Sequence, residues 1–545
     1  LIRALYTNNP FYLISAWLVF SGLRASFNTG GDLYQTWALL GGLASYTVLL
    51  AAAACVLIRL GSVWEDVRTL LLLVLLMFLA ISVSLDEALT TSPGRGSLWL
   101  TAGLAFAMAV SEVLRVGLRV RLPLAYRIPY YLVLALFFLY PVALAPWVGR
   151  PASGPLQWGL FAFPTAAGLA FLTLLPAIRR GATPVGNNGT PWSWPWYPLS
   201  LFFVLAVAVC LRAHYLCLSL HFVGGDWSIF GGYFLVPFLL AVNVLWLELG
   251  LAMQKRRVVG GALAVPLVWL WLSQAATRGD AVYLGFLHEF QRALHATPLY
   301  VTLALTLAFF GVAALRQVQG ALQACLATAT AMSLIGPRTL TFAGPYEVNG
   351  WPLLAVAGVL VVWAARRRES LAAAVAAVMF VVGSAIELRG TWFTSFGLTP
   401  FGEVIPLELL LTALLLAGTA FHDAHAPIVR LTAAGLLVWV SGTISAGQEG
   451  LFGDAGWLAS TAHFLFWTAI AVAYARWLRA GYFYLAAGTN AAVWGFMTIV
   501  QGYGFLRTRV AGLPEISLGL VFFVLAFLVS VWKVIYTTKL PPTRS

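Results

Sequence analysis

Charge is what this chain has least of. Only 9% of its 545 residues are Asp, Glu, Lys or Arg, against about a quarter in a soluble domain. Hydrophobic residues make up 61%, and the mean hydropathy is +0.88. Water is therefore not its main solvent, and a disordered chain is excluded for the same reason. Long polar stretches are scarce as well, the longest intervals between apolar runs falling at 180–195, 277–297 and 388–402. None has room for a soluble catalytic or binding domain. A Walker loop, a dinucleotide glycine pattern, a paired-cysteine zinc pattern and an HExxH motif are all lacking, so ATP hydrolysis or nucleotide chemistry would have to come from another chain. The four cysteines, Cys55, Cys210, Cys217 and Cys325, sit inside apolar runs, where they act as small packing groups. They specify no redox compartment. The period-two alternation of a membrane β-barrel is missing too.

What is present is a succession of long apolar runs. They lie near 11–27, 35–58, 69–86, 97–114, 128–147, 156–178, 196–221, 229–252 and 258–276, then 298–315, 319–336, 351–365, 370–387, 403–421, 428–446, 457–475, 481–501 and 514–533. A helix of ~20 residues spans the ~30 Å hydrocarbon core, so the expected fold is all-α, a polytopic transmembrane helix bundle of about 18 spans. The short runs near 11 and 351 would lower that to about 16 if they do not cross. The expected organisation is one transmembrane helical domain over 1–545, with halves at 1–276 and 298–545 and with 277–297 as an outer interfacial amphipathic helix. That helix would carry Tyr283, Phe286, Leu287, Phe290 and Leu294 on its apolar face. "PFYL" at Pro10, "PYYL" at Pro129, "PWYP" at Pro195 and "PLYV" at Pro298 recur at span starts. Pro in a first turn and interfacial aromatics account for the phrase; a sharper reading makes the two sets of nine spans inverted repeats.

The net charge of +13 reads as topology rather than as affinity for nucleic acid. With both termini on one side, that side collects 22 of the 32 basic residues, including Arg179, Arg180, Lys255 to Arg257 and Arg366 to Arg368, but six of the 19 acidic ones. Excess Lys and Arg marks cytoplasmic loops, so both termini are expected in the cytoplasm. The first run is followed by further spans and not by a cleavage site, and the chain begins at Leu1 rather than Met, which leaves residues ahead of it open.

Ionisable groups inside spans are the default site candidates, because each costs ~2.5 to 3.5 kcal/mol at a helix centre. Arg212 and His214 lie in the outer half of the seventh run, and Cys210, His214, Cys217 and His221 form one stripe along it. Those four are soft metal ligands by type, although packed cysteines and hydrogen-bonded histidines explain the stripe equally. Glu387, Arg389, Glu403, Glu408 and His463 fall at the same outer level, where with Arg212 and His214 they would line an outward-facing polar cavity that binds substrate or ions or relays protons. Asp32, Asp86 and Glu87 are outward carboxylates, the residue type that a membrane glycosyltransferase places on an early outer loop. Glu248 is buried near the inner end of its span, with Lys255 to Arg257 as expected partners. His422, Asp423 and His425 in "FHDAHAP" read as a cytoplasmic turn.

The segments "NNPFYLISAWLVFSGLR" (Asn8 to Arg24), "LRAHYL" (Leu211 to Leu216) and "WLELGLA" (Trp246 to Ala252) resemble a group of uncharacterised multi-spanning bacterial membrane proteins of planctomycete type. The resemblance implies the same architecture and an inner-membrane location, and it carries over no activity, cofactor or site residue. Three functions fit the residues: a transporter or flippase for a lipid or small molecule, a membrane-embedded transferase using a lipid-linked sugar, and a non-catalytic subunit or sensor. The lipid bilayer is the one expected partner, and oligomeric state is left open.

Overall fold

The computed structural model describes residues 11–27, 33–61, 63–148, 154–186, 188–221, 230–275, 281–344, 347–388, 404–446, 456–509, 518–519 and 521–530. Among the described residues the regular structure is helical throughout. Ten of the helices are long and apolar enough to cross a membrane, and five shorter apolar ones accompany them. Large apolar side chains point outward along them, among them Leu60, Phe203, Trp271 and Leu485. These features mark an integral membrane protein, since such surface is stable only against lipid.

The chain separates into two compact units, Leu1–Val348 and Asn349–Ser545. That division lies well past the segment 277–297. In the first unit the helices are α1 (Phe11–Phe27), α2 (Leu33–Gly61), α3 (Trp64–Thr91), α4 (Pro93–Gly117), α5 (Leu124–Leu144), α6 (Gly154–Leu172), α7 (Leu175–Arg179) and α8 (Trp196–His221). They are followed by α9 (Val236–Ala252), α10 (Arg256–Ala264), α11 (Pro266–Leu272), α12 (Ala281–Leu294), α13 (Pro298–Leu315) and α14 (Ala321–Ile335). Each helix from α2 to α6 packs on the next, and α8 closes against α3, α5 and α6. Buried Phe78, Phe137, Phe138 and Phe163 fill this centre.

Proline shapes several of these helices. Pro298 opens α13 behind the N-cap Thr297, whose hydroxyl accepts from the Tyr300 N–H at 3.3 Å. Pro129, by contrast, lies inside α5 together with Pro141, so the "PYYL" phrase there is not a span start. The run near 258–276 is broken into α10 and α11 at Pro266, although Val265 keeps helical angles. An interior proline leaves the carbonyl four residues earlier without its N–H, and two of these carbonyls reappear below.

Helix α12 buries Tyr283, Phe286, Leu287 and Phe290, while Leu294 is exposed. The buried rings pack on protein: Phe286 lies 5.3 Å from Trp158 and 4.6 Å from Phe230, and Phe290 lies 5.9 Å from Tyr233. Glu289 takes the Trp158 indole N–H at 2.9 Å. The face expected to meet a membrane surface thus docks on an aromatic cluster.

The second unit holds α15 (Trp351–Arg367), α16 (Ser370–Leu388), α17 (Val404–Ala420), α18 (Ala426–Ala446), α19 (Gly456–Leu478), α20 (Gly481–Arg509) and α21 (Val521–Ser530). Consecutive helices from α15 to α20 pack together, with α18 also against α16 and α20. Gly350 is required at the entry to α15, because a Cβ there would sit 2.2 Å from the Gly383 carbonyl oxygen. The close backbone approach brings the Gly350 N–H onto Glu387 at 2.7 Å.

Candidate functional site

The candidate residues divide between the two units, and each unit is taken by itself. In the first, Asp86 near the end of α3 and Arg212 in α8 form an ion pair with both side chains fully buried. Arg212 Nη2 donates to Asp86 Oδ1 at 2.8 Å and Nη1 donates to Oδ2. The remaining donors turn to α5, where Nη2 and Nε reach the Phe137 carbonyl at 3.0 and 3.3 Å. That carbonyl is free because Pro141, four residues on, has no N–H. A buried charge persists only when paired and hydrogen-bonded, and here both charges and a proline-orphaned carbonyl satisfy one another. This is a three-helix tie in which both oxygens of Asp86 accept from Arg212.

The neighbours of this tie behave differently. Glu87 is exposed, and its carbonyl accepts from Thr90 at 2.8 Å. His214 is half-buried, with its ring 6.2 Å from Tyr215. Cys210 and Cys217 are free thiols, and the His221 side chain lies outside the described residues. Among the described residues no three His, Cys, Asp or Glu side chains gather in a way that could hold a metal ion. Asp32, Arg389 and Glu403 lie outside the described residues.

Two further carboxylates in this unit gather cations. Glu112 in α4 accepts from Arg115 Nε at 2.8 Å and from Arg127 and Tyr131 of α5. Glu248 in α9 is buried between Arg179 at 2.7 Å and Arg316 at 2.8 Å. Its partners are therefore these two arginines of α7 and of the α13 C-cap, not the neighbouring Lys255 to Arg257. Nearby, the Asn243 side-chain amide donates to the Ala262 carbonyl at 2.9 Å, the second carbonyl orphaned by a proline, Pro266.

In the second unit Glu408 of α17 meets His463 of α19, and the Trp467 indole N–H donates to the same ring nitrogen, Nε2, at 3.0 Å. Trp467 is one helical turn beyond His463, on the same face. An imidazole nitrogen either carries a proton and donates or has a lone pair and accepts. It cannot donate to Glu408 and accept from Trp467 together. Glu408 and Trp467 therefore compete for one ring nitrogen. At the next residue, Thr468 Oγ1 accepts from the buried Asn490 amide of α20 at 2.8 Å.

Between α17 and α18, Asp423 Oδ2 takes the Ser370 backbone N–H at 3.1 Å and so caps α16. Burial raises this carboxyl, but hydrogen bonding from Ser370 and the nearby His425 outweigh it and hold it below the ordinary Asp range. His422 and His425 on either side are exposed, in keeping with a turn.

Sequence reasoning named Asp86, Arg212, Glu408 and His463 one by one but paired none of them. It missed Trp467, although the four-residue spacing from His463 was visible, and it counted Glu112 only as a charge. No family model matches the chain, and no curated protein and no solved structure matches it.

Proposed function

We propose that this membrane protein is a transporter or flippase whose second unit carries a proton on Glu408 and His463. The observation behind this reading is the contest for one atom, since the Glu408 carboxyl and the Trp467 N–H both address Nε2 of His463 within apolar helices. Ionisable groups at such positions are expensive to insert and mark ion or proton pathways. A pair that relocates one proton and, with it, one indole hydrogen bond supplies a local change of the kind that coupling to a proton gradient needs. Ten helices are long and apolar enough to cross; the reading of about 18 spans adds α1, the α10/α11 pair, α14, α15, α17, α18, α19 and α21 as further crossings. The basic excess on one set of loops supports cytoplasmic termini, and the bacterial inner-membrane location rests on the resemblance alone.

The subunit reading draws on one specific observation, the complete closure of Asp86 and Arg212, which is what a packing role requires. The transferase reading loses Asp86 to the same closure. The test is proton movement into proteoliposomes that contain the full-length protein and an internal pH dye, under an imposed gradient. Wild type should relax the gradient several-fold faster than Glu408→Gln or His463→Gln. Equal rates for all three would remove the proton role.

A further inference from the structure

We infer that the end of the first unit built around Glu248 binds the phosphate headgroup of an anionic phospholipid. The Glu248 side chain is 4% exposed, whereas those of Arg179 and Arg316, which it holds at 2.7 and 2.8 Å, are 45% and 44% exposed. Each guanidinium carries five N–H donors, and the contact with Glu248 occupies one nitrogen of each. The two arginines come from different elements and are fixed astride one buried carboxylate, each with nearly half of its side chain exposed. Arg180, which follows α7, and Lys255 to Arg257, at the start of α10, are exposed as well and add positive charge without contacting Glu248.

A general cytoplasmic excess of Lys and Arg needs only loose positive charge. It does not need two arginines anchored by a buried acid. Anchoring removes the cost of ordering two long side chains when a ligand arrives, and guanidinium forks suit a phosphate oxyanion. The surface beside the clamp selects the source of the phosphate. Val312, one turn before Arg316 on the same face of α13, is 48% exposed, and Leu315 is 74% exposed. An acyl chain would cover this apolar strip while its headgroup meets the guanidiniums, in the manner of basic pockets at the cytoplasmic ends of spans. Free phosphate gains nothing from the strip.

The experiment is native mass spectrometry of the full-length protein titrated with dioleoylphosphatidylglycerol, with dioleoylphosphatidylcholine and inorganic phosphate as parallel arms. Wild type should take up phosphatidylglycerol in preference to phosphatidylcholine, and phosphate should compete weakly. Arg316→Gln, which leaves Glu248 paired with Arg179, should weaken phosphatidylglycerol binding roughly fivefold to tenfold, and adding Arg179→Gln should weaken it further. Glu248→Gln separates a clamp from bulk charge. It removes a negative charge, so diffuse attraction would tighten binding, whereas loss of the anchor loosens it. The inference is overturned if Arg316→Gln binds as wild type does, if folded Glu248→Gln binds more tightly, or if inorganic phosphate displaces the lipid completely. Should Glu248→Gln fail to fold, Arg316→Gln decides alone.

Discussion

The two units treat their intramembrane charges in opposite ways. In the first, Asp86 and Arg212 are fully buried, each carboxylate oxygen has a guanidinium N–H, and two further Arg212 donors reach the Phe137 carbonyl. In the second, one nitrogen of His463 is asked to serve both Glu408 and Trp467. In the first arrangement each buried charge has its counter-charge in direct contact. In the second, two partners compete for one ring nitrogen. The difference teaches that depth in the membrane does not by itself mark a working residue. Surplus or shortage in the hydrogen-bond count does.

The contrast can be broken most forcefully at Arg212. Arg212→Ala leaves Asp86 buried without a partner and should cost about 3 to 5 kcal/mol, read as a large drop in thermal unfolding temperature. Replacing both partners together, Asp86→Leu with Arg212→Met, should recover most of that loss. If the double variant is as unstable as the single one, the pair does more than pack. Next in size is the proton site. Glu408→Gln and His463→Gln should slow gradient relaxation in proteoliposomes several-fold while shifting stability by only about 1 kcal/mol, the net worth of an ordinary hydrogen bond. A collapse of stability there would make this pair a second structural tie. Third, Pro141→Ala restores an N–H to α5, a change worth ~3 kcal/mol in an isolated helix. Because Arg212 already uses the Phe137 carbonyl, the measured gain should be well under half of that, and a full gain would argue against the tie.

Smallest is the cap on α16. Asp423→Asn should cost about 1 kcal/mol at neutral pH. The Asp423 carboxyl is depressed in the folded protein, so its contribution is present above the unfolded value and is lost as the pH falls below about 4. Wild type and Asp423→Asn should therefore converge in acid.

Apolar length is a local property, and so the helices were legible: most runs read from the sequence fall on one helix, while 156–178 and 258–276 are each divided between two and the last is described only in part. The pairs were not legible, because Asp86 and Arg212 are 126 residues apart and Glu408 and His463 are 55 apart. Nothing in either run states which face turns toward which neighbour. Glu248 shows the resulting error: proximity in sequence suggested Lys255 to Arg257, but helix packing delivered Arg179 and Arg316. Some signal was available and unused. Pro141 and Pro266 each announce an orphaned carbonyl four residues earlier, and Arg212 and Asn243 are the buried donors that answer them. Helix α12 was legible as amphipathic, yet the pattern could not say that its apolar face meets Trp158 and Phe230 and not lipid.

The central claim is that Glu408 and His463 hold one exchangeable proton. Nitrogen NMR of the full-length, histidine-labelled protein in lipid tests it directly, since the seven histidines can be assigned by single substitution. The account predicts that Nε2 of His463 moves between unprotonated and protonated signals in one step as the pH is varied, that Glu408→Gln displaces this step, and that the Trp467 indole signal changes with it. An Nε2 signal that stays in one state across the range, or a step that Glu408→Gln leaves in place, would contradict it.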